Sequence, residues 1–249
     1  MTELTLQRDK LPHLSYTYRS GTKNICILYL HGWTAQRKSV KGQALESVAE
    51  QAGCHYLALD YTGHGDSGGI LADFTVGQGI QDTLDVIRAT VPDTPLLIVG
   101  NSIGGWIGLT IAEQLKQTKA FLGLAPAPDI TQFIWDTMLP DTAKDALIQG
   151  DVLGPSSETK GFCFTKQLFD DAKAHIMLDR QIDFDGPARL IVGDNDEHVT
   201  FNRILKIKDN LKSQNVTITL IKGADHHLST PTDLSVIQKT LTTLLAEVS

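Results

Sequence analysis

"LLIVGNSIGGWIGL" (96–109) is an aliphatic run that stops at Gly100, passes the polar pair Asn101 and Ser102, and resumes as an apolar segment rich in glycine. Two readings fit it. In one it is a plain turn, because small residues tolerate the sharp path from strand to helix and serine caps helical N–H groups. In the other, G-x-S-x-G is a nucleophile elbow, a strained turn that holds the Ser102 hydroxyl clear of both flanking elements. Leu96–Gly100 suits a strand and Ile103 onward suits a helix, which is the context the elbow needs. The pattern also arises by chance, so the rest of the chain must decide.

Around it, short apolar runs recur: "ICILYL" (25–30), "HYLALD" (55–60), "AFLGLA" (120–125), "RLIVG" (189–193) and "VTITLI" (216–221). Continuous apolar runs of this length suit strands buried on both faces of a parallel sheet. Between them, helical spacing predicts helices over Val40–Ala52, Thr75–Thr90, Ile103–Lys116, Phe201–Lys212 and Pro231–Val248. Alternating strands and helices predict an α/β chain, with a mostly parallel central sheet flanked by helices. The alternating "HLSYTYRS" (13–20) predicts an antiparallel strand at the sheet's edge. About sixty residues separate the runs ending near Ala125 and starting near Arg189, far more than one crossover needs. Three segments there have helical periodicity, "DITQFIWDTML", "DTAKDALIQ" and "TKQLFDDAKAHIML", and prolines punctuate them. They predict a short helical cap, 127–187, inserted after strand 6 of a single domain spanning 1–249.

Composition excludes some functions. A net charge of -7 with no basic run gives no electrostatic reason to bind nucleic acid or an anionic membrane. Cys26, Cys54 and Cys163 are three, with no C-x-x-C spacing, and read as ordinary thiols in a reducing compartment. The polar N-terminus lacks the apolar core of a signal peptide, and no stretch approaches the ~20 apolar residues of a transmembrane segment. A cytoplasmic location is the expectation, with the oligomeric state open.

A serine hydroxyl is a weak nucleophile near neutral pH and needs a base within hydrogen-bond reach, itself oriented by a partner. Where the order is serine, acid, histidine, the histidines after Ser102 are His175, His198, His226 and His227. "KGADHHLS" follows the last strand, where a loop can return to Ser102. Its G-x-x-H spacing favours His226, with His227 the alternative. "VGDNDEHV" lies just past "RLIVG", and its G-x-x-D-x-x-V spacing favours Asp196, while Asp194 is the alternative or belongs to the turn. Acyl transfer also needs N–H donors for an oxyanion, and the candidates are the backbone amides of Ile103 and of Trp33 in "LYLHGWTAQ". Gly32 there would supply an unusual backbone angle, with His31 supporting the loop. "DYTGHGDSGG" (60–69) lacks the G-K-[S/T] of a phosphate cradle and the helix of a dinucleotide site, and reads as structural. A metal site from Asp194, Asp196, His198, His226 and His227 has no H-E-x-x-H or Cys/His spacing behind it. Neither a cofactor nor a metal is expected.

With "LYLHGW", "DYTGHGDSGG", "VGNSIGGW", "VGDNDEHV" and "GADHHLS" in order, the chain resembles the α/β-hydrolase superfamily over nearly its full length. "NSIGGWIGL", the short cap and "GADHH" are most similar to the small serine esterases of the palmitoyl-protein thioesterase and acyl-glucuronide esterase subgroup. The resemblance implies the α/β-hydrolase fold and ester or thioester cleavage on a Ser102–His226–Asp196 triad, with a small-molecule or acylated substrate. Phe133, Ile134, Trp135, Met138 and Phe169 of the cap become candidates for an acyl pocket. Carbon–carbon bond hydrolases share the "GNS.GG" elbow but tend to carry tryptophan after the histidine, where this chain has His227. A non-catalytic binding protein of the same fold is the alternative of another class, against which stand three competent triad residues.

Overall fold

The computed structural model describes residues 2–156, 159 and 161–248. Eight strands form one sheet: β1 (Thr2–Leu6), β2 (Leu14–Arg19), β3 (Cys26–Leu30), β4 (His55–Leu59), β5 (Leu96–Asn101), β6 (Thr118–Leu124), β7 (Ala188–Gly193) and β8 (Val216–Ile221). Their order across the sheet is β1-β2-β4-β3-β5-β6-β7-β8. β2 runs antiparallel to β1 and β4, and every other pairing is parallel.

The expected edge strand is therefore corrected. The 13–20 run forms β2, but Thr2–Leu6 pairs along it and is the edge instead. Burial explains why β1 escaped notice: its residues are exposed or half-buried, so they show no apolar run, whereas Leu14–Thr17 of β2 is buried.

Strand residues alternate between two cores, as the pleat requires. Ile27, Tyr29, Leu97 and Val99 meet the helices α1 (Val40–Ala52) and α8 (Pro231–Val248) on one face. Leu28, Leu30, Ile98 and Leu190 meet α2 (Val76–Thr90), α3 (Ile103–Gln114) and α7 (Phe201–Asn210) on the other. Helices end within two residues of the expected places. Thr75 is the N-cap of α2, its hydroxyl accepting from Gln78 N at 3.0 Å, and α3 stops at Gln114.

The long interval after β6 holds α4 (Ile130–Phe133), a five-residue π-helical turn (Ile134–Met138), α5 (Asp141–Ile148) and α6 (Lys166–Ala172), with a 3-10 turn at Lys173–His175. Residues 157, 158 and 160 of the expected cap lie outside the described residues. The first predicted helix is thus split into an α turn and a π turn, and a bridge pairs Leu153 with Phe164. Among the described residues no helix is long and apolar enough to cross a membrane.

Candidate active site

The parallel register decides which loops meet. β3 and β5 run level, Leu30 beside Gly100, and β5 and β6 pair Asn101 with Leu124. The carboxyl ends of β3 and β5 therefore deliver His31–Trp33 and Ser102 to one place, as expected for ligand sites of open α/β sheets.

Ser102 has φ 53° and ψ -120°, a conformation that L residues rarely adopt. It persists because the turn is bound on both sides: Ser102 N donates to Leu124 O at 2.9 Å, and Ala127 N donates to Ser102 O at 3.0 Å. Gly104 brings α3 against the carbonyl oxygens of Leu30 and His31, where a Cβ would collide with backbone. Gly32 does not need its glycine for an unusual angle. The positive φ in that loop belongs to Thr34, and a methyl added at Gly32 would meet Ser102 Cβ at 3.4 Å, an ordinary contact.

Ser102 Oγ lies 3.0 Å from His226 Nε2, and His226 Nδ1 lies 2.8 Å from Asp196 Oδ2. An ionised carboxylate only accepts, so it selects the tautomer with hydrogen on Nδ1 and leaves Nε2 to accept from the hydroxyl. The other oxygen of Asp196 accepts from His198 N and Val199 N, each at 2.8 Å. Burial pushes the Asp196 carboxyl upward, but the His226 hydrogen bond and charge and the two N–H groups outweigh it, leaving it below the usual carboxylate range. Asp194 turns away and accepts from Gly223 N at the end of β8. His227, the alternative base, is exposed, while Asp225 Oδ1 accepts from its amide at 2.9 Å.

Trp33 and Ile103 line a cavity with Ser102 and His226. Among the described residues, neither of their backbone amides donates to a protein acceptor, so both are available to a ligand oxygen. His31 is wholly buried, and burial followed by the neighbouring His64 pushes its pKa down to about 3, which keeps it neutral. Its Nδ1 donates to Gly32 O at 2.8 Å, so it braces the loop. Behind it Asp60 accepts from Arg37 N at 2.7 Å and from Asp66 N at 3.0 Å, and it pairs with the buried Arg37 guanidinium. The glycine-rich turn wraps this carboxylate, since a Cβ on Gly65 would collide with it. Among the described residues no group of three or more His, Cys, Asp or Glu side chains is arranged to hold a metal ion.

The cavity is small, about 40 Å³, and Ile134 and Met138 line it from the π turn. The other three cap candidates lie elsewhere. Phe133 packs under Arg203, 5.6 Å from the guanidinium carbon, and Trp135 and Phe169 pack on each other at 4.9 Å. Phe162 and Phe164 complete the wall against the Trp33 ring, at 4.9 and 5.6 Å. They sit in irregular chain, where no periodicity marks them.

A hydroxyl, an imidazole and a buried carboxylate in line can pass a proton, and the amides of Trp33 and Ile103, which line the same cavity and are unpaired among the described residues, are candidates to stabilise an oxyanion. Comparison with known proteins shows the family to which the chain belongs. The pattern of the alpha/beta hydrolase family matches residues 27–234. The chain is 30% identical over 249 residues to the mitochondrial palmitoyl-protein thioesterase of Mus musculus, covering 98% of this chain and 82% of that one. Among solved structures, alpha/beta hydrolase domain-containing protein 10 from mouse superposes with a TM-score of 0.89 at 29% identity, covering 100% of both chains. Est1E from Butyrivibrio proteoclasticus, solved with ferulic acid bound, shares the fold with a TM-score of 0.81 at 19% identity over 98% of each chain.

Proposed function

Since the chain belongs to the alpha/beta hydrolase family, we propose that it cleaves carboxylic ester or thioester bonds through an acyl-enzyme on Ser102, His226 and Asp196. The unbroken hydrogen-bond line from Ser102 Oγ through His226 to Asp196, at the wall of an apolar cavity, carries this reading. The thioesterase name of the mouse relative supports an acylated substrate.

Ser102 Oγ attacks the acyl carbonyl carbon while its proton passes to His226 Nε2. Asp196 accepts from Nδ1–H and stabilises the imidazolium. The carbonyl oxygen, now anionic, takes hydrogen bonds from the amides of Ile103 and Trp33. Collapse of this intermediate breaks the bond to the leaving group, which departs as an alcohol or thiol with the proton from His226. A water molecule gives its proton to His226, attacks the acyl-enzyme and releases the acid, and the proton returns to Ser102. In this proposal the chain is one hydrolase domain, with 127–187 as its cap closing over the acyl group.

A fluorophosphonate probe, with p-nitrophenyl and acyl-thioester substrates of graded chain length, tests it. The probe labels the wild type, Ser102→Ala abolishes labelling, and His226→Ala lowers kcat by about 10⁴-fold or more. Folded wild-type protein that resists the probe and cleaves none of the substrates would overturn the reading in favour of a binding protein.

A further inference from the structure

Lys41 is placed where a lysine is least expected. It lies in the first turn of α1, whose N-terminal end carries partial positive charge, and it is buried at 7% exposure. Its ammonium donates to His227 O and, at 3.1 Å, to Ser229 Oγ, while Ser229 Oγ donates to His227 O at 2.8 Å. Both partners lie within three residues of His226, in the loop between β8 and α8. On the β8 side the loop is held by Asn195 N donating to Ala224 O at 3.0 Å and by Gly223 N donating to Asp194, and Asp225 caps the amides of His227 and Leu228; beyond His226, Lys41 is the tie that reaches it from α1.

We propose that Lys41 is a positioning residue that ties the loop bearing His226 to α1 and so sets the reach of the imidazole to Ser102. The proposal rests on His226 being the base. A charged donor binds a carbonyl about twice as strongly as a neutral one, so the tie depends on the proton. The charged groups facing it are Asp225 in the loop and Asp233 in the first turn of α8. Burial pushes the ammonium pKa down against the pull of these two carboxylates, to about 8. Two consequences of opposite sign follow. Above about pH 8 the tie weakens and the rate falls. Yet between that value and the ordinary lysine pKa of about 10.4, the unfolded chain holds a proton that the folded one has lost, so this group's contribution to stability rises with pH.

The experiment measures kcat, KM and Tm from pH 6 to 10 with p-nitrophenyl butyrate, corrected for spontaneous hydrolysis, for the wild type, Lys41→Met, Lys41→Arg, Ser229→Ala and Ser102→Ala. Lys41→Met lowers kcat about ten-fold with KM within two-fold. It loses the alkaline limb near pH 8 and keeps or raises Tm at neutral pH, because a buried cation is gone. Lys41→Arg, charged throughout this range, regains most of the rate and shifts the limb beyond pH 10. Ser229→Ala, which removes one acceptor, lowers kcat two- to three-fold, on the order of one weakened hydrogen bond. A Lys41→Met enzyme with wild-type kcat and pH profile overturns the proposal, as does one whose kcat loss comes with a fall in Tm and a rise in KM. Ser102→Ala separates the two readings: if it is inactive while Lys41→Met matches the wild type, only Lys41 loses its role, and if it stays active, both readings fall.

Discussion

The floor and the roof of the cavity are built by different means. The floor is backbone: the Ser102 turn hangs on Leu124 O and Ala127 N, and Gly104 lets α3 press on the carbonyls that end β3. The roof is side chain: Ile134 and Met138 from a π turn, with Phe162 and Phe164 from irregular chain. Backbone contacts leave no rotamer choice, so the floor holds its donors and acceptors to fixed positions. Side-chain contacts give way a little, and a roof of this kind adapts to what it covers. Substitutions in the floor should therefore act on the rate of chemistry, and substitutions in the roof on the choice of substrate.

The sharpest blow to the floor that keeps its shape is Asp196→Asn. The amide preserves volume but offers N–H where His226 Nδ1 needs an acceptor, so the imidazole takes the wrong tautomer, and kcat should fall about 10³- to 10⁴-fold. Stability gives an independent check. The folded Asp196 carboxyl sits below its usual range, so its contribution is present above the unfolded aspartate pKa of about 3.9 and is lost as pH falls through the folded value. The Tm advantage of the wild type over Asp196→Asn should shrink on acidification across that window. An equal advantage at every pH would mean that Asp196 is not ionised in the folded site.

On the roof, Phe164→Ala should change preference rather than chemistry. Phe164 is nearly buried and stands between the Ser102 cavity and a second apolar cavity lined by Leu139, Pro140, Ala143 and Leu153. Ile134, Met138 and Phe164 form the wall the two share, and truncating the ring should open it. The ratio of kcat/KM for dodecanoyl over acetyl esters should rise about ten-fold, within the 1–3 kcal/mol that apolar pocket contacts command. Truncating a buried phenylalanine also costs about 3 kcal/mol of stability, so the ratio must be taken well below the Tm. An unchanged ratio would remove Phe164 from the acyl path and move the roof's selectivity to Met138.

The same contrast explains what could be read in advance. The floor's parts announce themselves, because G-x-S-x-G, "HGW", "VGDNDEHV" and "GADHH" each need particular residue types at fixed spacing beside a strand. The roof has no such grammar. Ile134 and Met138, four residues apart and so on one face of a helix, are among the five cap candidates, yet nothing in the sequence separates them from Phe133, Trp135 and Phe169, which pack elsewhere. Phe162 and Phe164 carry no periodicity, so their role emerges only from the tertiary path. β1 was illegible for another reason: an exposed edge strand shows no apolar run, and its pairing with β2 depends on register alone. The reading of Gly32 fails: its φ is not positive, and a methyl there would make only ordinary contacts, so neither backbone angle nor space demands glycine.

The smallest effect is the most discriminating, because it separates two neighbours in sequence. His226 and His227 are adjacent, with ring centroids 6.3 Å apart, yet only His226 reaches Ser102 and Asp196. His227 enters the structure through its backbone: its carbonyl receives Lys41 and Ser229, and its amide donates to Asp225. None of these groups is lost on truncation to alanine, and the exposed ring leaves no cavity behind. His227→Ala should therefore lower kcat by less than about three-fold and leave Tm within about 2 °C, as surface substitutions away from special features generally do. If it instead matched His226→Ala in kcat, the loop would have to turn over during the reaction and present the second imidazole. The floor would then be mobile at the base and fixed only at the nucleophile, and the division between a rigid floor and an adaptable roof would have to be redrawn through the loop after β8.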